Sequence, residues 1–108
     1  MDTPTLADVN IRGVAQRLIE KRLRRNSENL KQLQIELTVL DEQLAALSED
    51  ANDKEMRSLV SETPLALHEF RDAQKHVDAL QEQRSHLVRA IAEQKENQDD
   101  LLDKLGNN

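Results

Sequence analysis

Apolar residues recur at alternating steps of three and four along two segments of this chain, with a few polar interruptions. Such spacing places the side chains on one stripe of an α-helix, and a repeat sustained over several heptads is typical of a coiled coil. We call the stripe the a/d positions. In the first segment they are Val9, Arg12, Gln16, Ile19, Leu23, Asn26, Leu30, Leu33, Leu37, Leu40, Leu44 and Leu47. In the second they are Phe70, Ala73, Val77, Leu80, Arg84, Leu87, Ile91, Gln94, Gln98, Leu101 and Leu105.

The two segments match each other when the chain folds back so that paired residue numbers sum to 110. Apolar then meets apolar, as in Leu37 with Ala73, and polar meets polar, as in Asn26 with Arg84. A polar residue at a seam position is a common device for fixing register. The other predicted pairs are Leu40–Phe70, Leu33–Val77, Leu30–Leu80, Leu23–Leu87, Ile19–Ile91, Val9–Leu101, Gln16–Gln94 and Arg12–Gln98. The sequence therefore predicts an all-α fold, an antiparallel coiled-coil helical hairpin.

Capping signals predict where the helices begin and end. Thr3-Pro4 and Thr63-Pro64 each place an N-cap residue before a proline at the first helical position. Residues 49–63 are polar and rich in capping side chains, which favours a break. We predict a helix over residues 4–48, a polar tip over 49–63 with a short helical turn, and a helix over 64–105. Together they form a single domain over residues 1–108.

Composition narrows the class of protein. One residue in three is charged, phenylalanine occurs once, and tryptophan, tyrosine and cysteine are absent. Too few aromatic side chains remain to fill a deep globular core, and disulfides and thiolate metal sites are excluded. No glycine-rich phosphate loop and no nucleophile–histidine–acid constellation is recognisable. We therefore expect no enzyme, no cofactor and no small-molecule substrate.

The chain also lacks the sequence signals of membrane and secreted proteins. No apolar run approaches the roughly 18 residues that a membrane span requires. The first residues have neither the basic nor the apolar region of a secretory signal. We expect no membrane association and a cytoplasmic location.

Apolar residues away from the a/d positions predict a partner-binding surface on the first helix. Contiguous exposed apolar patches usually mark interfaces. The members of this surface are Ile11, Val14, Leu18, Ile35 and Val39, with the basic residues Arg17, Lys21, Arg24 and Arg25 around the first three. Leu67, Val88 and Leu102 add apolar surface on the second helix. We expect a protein partner, and self-association of two hairpins into a four-helix bundle. A non-catalytic adaptor, small regulatory subunit or spacer is the function that this pattern favours.

The acidic residues of the predicted tip suggest an alternative function, that of a transcription regulator. Glu49, Asp50, Asp53 and Glu55 would lie near the end of the hairpin. In shape and charge this resembles the transcript-cleavage factors that insert an acidic coiled-coil tip into the RNA polymerase secondary channel. The resemblance implies polymerase contact through these carboxylates.

The basic cluster of the first helix raises a DNA-binding version of the same alternative. Arg17, Lys21, Arg24 and Arg25 cluster at the start of a run of leucines at every seventh position from Leu23 to Leu44, which resembles a basic-region leucine zipper. In that family an arginine follows the asparagine by eight residues, whereas here Arg17 follows Asn10 by seven, and Glu20 interrupts the cluster. The net charge of −6 also argues against a nucleic-acid partner.

His68, Asp72 and His76 share one helical face because they recur every four residues. This spacing can hold a zinc or nickel ion. It also produces ordinary Asp–His pairs between adjacent turns. The sequence leaves both interpretations open.

Overall fold

The protein is a hairpin of two α-helices. A computed structural model describes residues 6–106, and the side chains from Ile11 onward. Over this range α1 spans Leu6–Ser61 and α2 spans Pro64–Gly106, with no strand. The predicted all-α helical hairpin is confirmed. The expected Thr3-Pro4 cap, the helix start at residue 4 and the side chain of Val9 lie outside the described range.

Two residues, Glu62 and Thr63, connect the helices. Glu62 adopts a φ of 51°, and its N–H donates to the carbonyl oxygen of Ser58 at 3.2 Å. This is the left-handed C-cap that usually carries glycine, since an L side chain is strained in that conformation. The left-handed conformation of Glu62 lets the chain reverse within two residues, at the expense of this backbone strain.

Thr63 starts α2. Its Oγ1 accepts a hydrogen bond from the N–H of Ala66 at 3.2 Å, and its carbonyl accepts one from the N–H of Leu67 at 3.2 Å. Pro64 follows at the first helical position, where its missing N–H breaks no hydrogen bond. The Thr63-Pro64 cap predicted from the sequence is confirmed.

The predicted polar tip over residues 49–63 is wrong, because α1 continues to Ser61. The a/d repeat extends past Leu47 through Ala51, Lys54 and Ser58, all of them buried or half-buried. Ala51 retains only 2% of its exposure. Packing of these positions outweighs the local preference of the neighbouring polar residues for a turn.

The hairpin divides into two compact units. The turn unit comprises residues 34–89, and the terminal unit comprises the described parts of 1–33 and 90–108, that is 6–33 and 90–106. In the turn unit, Ala51, Ala73 and Val77 form a buried cluster against which Leu44 and Leu47 pack. The single domain expected over residues 1–108 stays a prediction.

The terminal unit has a polar layer between its two helical segments. Asn26 is 6% exposed, and its Nδ2 donates to the carbonyl oxygen of Gln94 at 2.9 Å and to Oε1 of the same residue at 2.8 Å. Leu30 and Ile91 are buried in the same unit. A polar seam layer at Asn26 was predicted, but its partner is Gln94 and not Arg84.

The predicted pairing to a sum of 110 is therefore wrong, although the a/d positions themselves are right. Every predicted a/d position from Ile19 to Leu47 and from Phe70 to Leu105 is buried or half-buried; Arg12 and Gln16, the described positions before Ile19, are exposed. Ala73 clusters with Ala51 instead of Leu37, a shift of two heptads. A seam that repeats every seven residues keeps its faces matched after such a shift, so the position of the turn decides the register.

Candidate interaction surface

A stripe of exposed apolar residues runs along α1 on the side opposite the a/d positions. We call it the outer stripe. Its members recur at steps of three and four, displaced by about half a helical circumference from the seam. They are Ile11, Val14, Leu18, Ile35, Val39, Met56 and Val60, all exposed, with Val60 at 81%. All five predicted apolar contact residues are thus exposed on α1.

Met56 and Val60 are the members that the sequence analysis missed. Both lie in the segment predicted as a polar tip. Because this segment was not predicted to be one continuous helix, its residues could not be assigned to a helix face. The signal was present, because steps of three and four from Val39 lead through Glu42, Ala46, Glu49 and Asp53 to Met56 and Val60. Extending the helical repeat past Ser48 would have found them.

The two ends of the outer stripe each border a shallow groove. In the terminal unit, Ile11, Val14, Ala15 and Leu18 line an apolar depression of about 350 Å³. In the turn unit, a depression of about 420 Å³ borders Met56 and Val60. Its remaining lining residues are Lys54, Arg57, Ser61, Ala66 and Glu69. Each groove has the size to take apolar side chains from a partner helix.

The predicted basic residues lie on the surface of α1 in the terminal unit. Arg17, Lys21, Arg24 and Arg25 are exposed and border one groove together with Glu20 and Glu28. Among the described residues the ion pairs are Lys54–Asp50 and Arg84–Asp41, and His68 lies beside Asp72. Lys21, Arg24 and Arg25, which we call the basic block, therefore form no ion pair within the described part of the chain.

The predicted acidic tip residues are not at the turn. Glu49, Asp50, Asp53 and Glu55 are exposed on α1, which continues to Ser61. Asp50 pairs with Lys54 at 3.0 Å. Glu49, Asp50 and Asp53, which we call the acidic block, lie on the outer side of the turn unit.

The neighbourhood of the turn is apolar instead of acidic. Leu59, Val60 and Leu65 flank Glu62 and Thr63 and are strongly exposed. Only Glu62 carries charge in the connection itself. The end of the hairpin therefore differs from the carboxylate-rich tip that the sequence suggested.

One ion pair joins the two helices in the turn unit. Nε of Arg84 donates to Oδ1 of Asp41 at 2.7 Å. This hydrogen bond and the charge of Asp41 raise the pKa of Arg84 above its ordinary value. Both side chains remain close to half exposed, so the pair orients the helices more than it stabilises them.

Of the three residues His68, Asp72 and His76, the first two form a pair. Nε2 of His68 lies 3.2 Å from Oδ2 of Asp72, and both are exposed. From Ile11 to Gly106, where side chains are described, no three His, Cys, Asp or Glu residues are grouped closely enough to hold a metal ion. The geometry here is that of the Asp–His pair between adjacent turns.

Comparison with known proteins assigns this chain to no family. Neither a family model, a curated protein nor a solved structure matches this chain. Within the part of the chain that the structure covers, neither helix has a stretch long and apolar enough to cross a membrane. The cytoplasmic location stays a prediction.

Proposed function

We propose that this protein is a non-catalytic coiled-coil interaction module, an adaptor, small regulatory subunit or spacer that binds a protein partner through the outer stripe of α1. One observation carries the proposal. The hairpin seam uses the a/d positions, and the outer stripe leaves seven further large apolar residues exposed on the opposite side of the same helix.

Side chains of this size contribute strongly to the free energy of association. Full burial of one Val, Leu, Ile or Met side chain stabilises a complex by roughly 1.5–3 kcal/mol. An exposed ion pair contributes under about 1 kcal/mol. Several apolar side chains buried together therefore dominate binding, and the charged residues beside them select the partner and its orientation.

The charges along α1 favour a partner of mixed charge. The basic block accompanies the apolar residues of the terminal unit, and the acidic block accompanies those of the turn unit. Because the basic block is unpaired within the described residues, it is free to meet carboxylates of another surface. A partner surface that meets the terminal unit would be acidic, and one that meets the turn unit would be basic.

The transcription-regulator alternative stays a prediction. Its polymerase version required carboxylates at the extremity of the hairpin, and the acidic block lies along the side of α1 instead. Its DNA version requires a basic helix face, whereas Glu20 and Glu28 border the same groove as the basic residues.

Photo-crosslinking tests the proposed surface. A photoreactive amino acid replaces Leu18 on the outer stripe or, as control, Leu102 on α2, both of which are 50% exposed. Irradiation in the source cells is expected to give a discrete protein adduct at position 18. The adduct should disappear when Val14 and Ile35 are both changed to Glu, because the apolar contact is lost.

Two results would contradict the proposal. One is equal labelling at positions 18 and 102, which would indicate random collisions. The other is an adduct at position 18 that survives the Val14→Glu and Ile35→Glu changes, because binding would then not depend on the stripe.

A further inference from the structure

We infer that the partner segment bound to the terminal unit is an acidic amphipathic helix of another protein. It lies antiparallel to α1, with its carboxylates in its own N-terminal half. The face of α1 that binds it runs from Ile11 to Arg25, within the terminal unit alone. This partner helix gives a chemical identity to the partner of the proposed function, on which the inference rests.

The N-terminal part of this face is apolar. Ile11, Val14 and Leu18 follow one another at steps of three and four, so their side chains form one row along the helix. We call them the apolar row. All three are exposed, and together with Ala15 they line the groove of about 350 Å³. A row with this spacing is complementary to a second helix whose apolar side chains recur at the same steps.

The next two turns of the same face are cationic. Lys21, Arg22 and Arg25 follow Leu18 by three, four and seven residues, which places them in line with the apolar row. We call them the cationic row. All three are exposed, and they take part in none of the ion pairs found among the described side chains. Carboxylates of a partner are the groups that complement this row.

Glu28 ends the cationic row. It follows Arg25 by three residues, is exposed and borders the same groove as Lys21 and Arg25. A carboxylate at this point repels further acidic residues, so the acidic stretch of the partner stops here. The face from Ile11 to Arg25 is about 21 Å long at about 1.5 Å per residue. A partner helix of about 15 residues, or four turns, covers it.

The direction of the partner helix follows from its charges. In an antiparallel arrangement the N-terminal half of the partner meets the cationic row, and its C-terminal half meets the apolar row. Carboxylates in the first turn of a helix interact favourably with the helix dipole, whereas carboxylates in the last turn oppose it. A parallel partner would need its carboxylates in the unfavourable half. The antiparallel direction is therefore preferred.

The order of residues along the helix axis distinguishes a protein helix from a membrane surface or a nucleic acid. A helix that lies on a membrane has its apolar and cationic residues on opposite sides of its circumference. Here the cationic row follows the apolar row on the same side, so immersing Leu18 in a bilayer would also immerse Arg22 and Arg25. A phosphate backbone offers no apolar contact to the apolar row, and it would be repelled by Glu20 and Glu28 at the groove.

Photo-crosslinking at two positions tests both the chemistry and the direction. A photoreactive amino acid replaces Leu18 in one variant and Arg25 in another, and mass spectrometry identifies the labelled residues of the partner. Position 18 is expected to label an apolar stretch. Position 25 is expected to label an acidic stretch about seven residues nearer the N-terminus of the same helix, since two turns separate the two positions. Lys21 and Arg22 remain in the second variant to hold the carboxylates.

Two labelling patterns would overturn the inference. One is a label from position 25 that lies on the C-terminal side of the label from position 18, because the partner would then be parallel. The other is a label from position 25 with no Asp or Glu within one turn of it, because the partner would then not be acidic at the cationic row.

Charge reversal tests the cationic row with a defined probe. The probe is a synthetic peptide of four helical turns, with glutamates in the first two turns and leucines at steps of three and four in the last two. Fluorescence anisotropy measures its dissociation constant, which should rise at least about a hundredfold in the triple variant K21E, R22E, R25E. A peptide with lysines in place of the glutamates should bind this variant and not the wild type. A peptide with its two halves exchanged should bind the wild type several-fold more weakly.

A matched control separates the row from the net charge. The triple variant R71E, K75E, R89E reverses three exposed cations of the turn unit and changes the net charge by the same amount. It should bind the glutamate peptide like the wild type, and circular dichroism verifies that both variants are helical. A wild-type chain that does not bind this peptide, or equal weakening in the two triple variants, would overturn the inference.

The crosslinked product separates this inference from the proposed function. A stripe-dependent adduct at position 18 with a non-acidic protein overturns the acidic helix and leaves the interaction module in place. A second copy of this chain as the adduct also overturns it, and would favour the self-association into a four-helix bundle that stays a prediction from the sequence. A lipid or nucleic-acid adduct, or no stripe-dependent adduct at all, overturns both proposals.

Discussion

Asn26 combines a seam position with an amide that is only partly satisfied. Its Nδ2 donates to Gln94 twice, whereas its buried Oδ1 accepts no hydrogen bond from the described residues. A buried polar atom without a partner costs about 1–3 kcal/mol. Asn26 therefore reduces the stability of the hairpin in exchange for specificity, since Gln94 can receive these bonds in one register only.

Substitution of this residue makes the cost measurable. Asn26→Leu should raise the free energy of unfolding by about 1 kcal/mol, because the unsatisfied amide is replaced by an apolar seam side chain. Urea denaturation followed by circular dichroism at 222 nm measures the change. Asn26→Asp, which keeps the shape and adds a buried charge, serves as the opposite control and should be destabilising. A lower stability for Asn26→Leu would show that the two hydrogen bonds to Gln94 outweigh the desolvation of Oδ1.

At the level of the helices, periodicity predicted which residues are buried but not which residues face each other. Leu30, Leu40, Ala73, Val77 and Ile91 are all buried as expected, because a/d spacing alone determines the inward face. The pairing was wrong because a heptad seam accepts any shift of whole heptads. The position of the turn selects one of these registers. The turn lies at the strained Glu62, and the sequence has no glycine there that would have predicted it.

The candidate surface was predictable for the same reason and to the same extent. Ile11, Val14, Leu18, Ile35 and Val39 were recognised because they fall outside the seam of a helix that was correctly identified. Met56 and Val60 were not, because Asn52 and Asp53 have the local character of a loop. Tertiary packing of Ala51 overrides that local preference, and a pattern of single residues does not contain this information.

Ala51 provides a test at this scale, because the extended helix buries it and a polar loop would not. Ala51→Asp should lower the free energy of unfolding by about 3 kcal/mol, since it places an unpaired charge against Ala73 and Val77. Ala45→Asp is the matched control, as Ala45 is exposed on the same helix. Thermal and urea unfolding of both variants measure the difference. Equal stabilities of the two variants would mean that residue 51 is not in the seam.

At the level of the whole molecule, the charged residues of α1 are distributed unevenly between the two units. The basic block and the acidic block lie in different units, and within the described residues only Asp50 has an ion-pair partner. Exposed charges of this kind contribute to orientation and to the rate of encounter more than to affinity. They should therefore make the binding of a protein partner sensitive to ionic strength.

Salt titration measures this sensitivity. Raising the ionic strength from about 0.1 M to about 1 M shortens the Debye length from about 10 Å to about 3 Å. The dissociation constant of the complex with the protein partner should rise several-fold, because the contacts of the two blocks with the partner are screened. A variant with Gln at all six block positions should bind the partner more weakly and respond little to salt. A wild-type dissociation constant that is independent of salt would assign the binding to apolar contacts alone.

The two-residue connection at Glu62 and Thr63 constrains how the lengths of the two helices can change. With so short a link, neither helix can grow without the other, or the layers beside the turn would lose their partners. Seven residues inserted into each helix at matching heights would lengthen each helix by about 10 Å while every existing layer keeps its neighbour. The length of the paired helices can therefore change only in steps of one heptad.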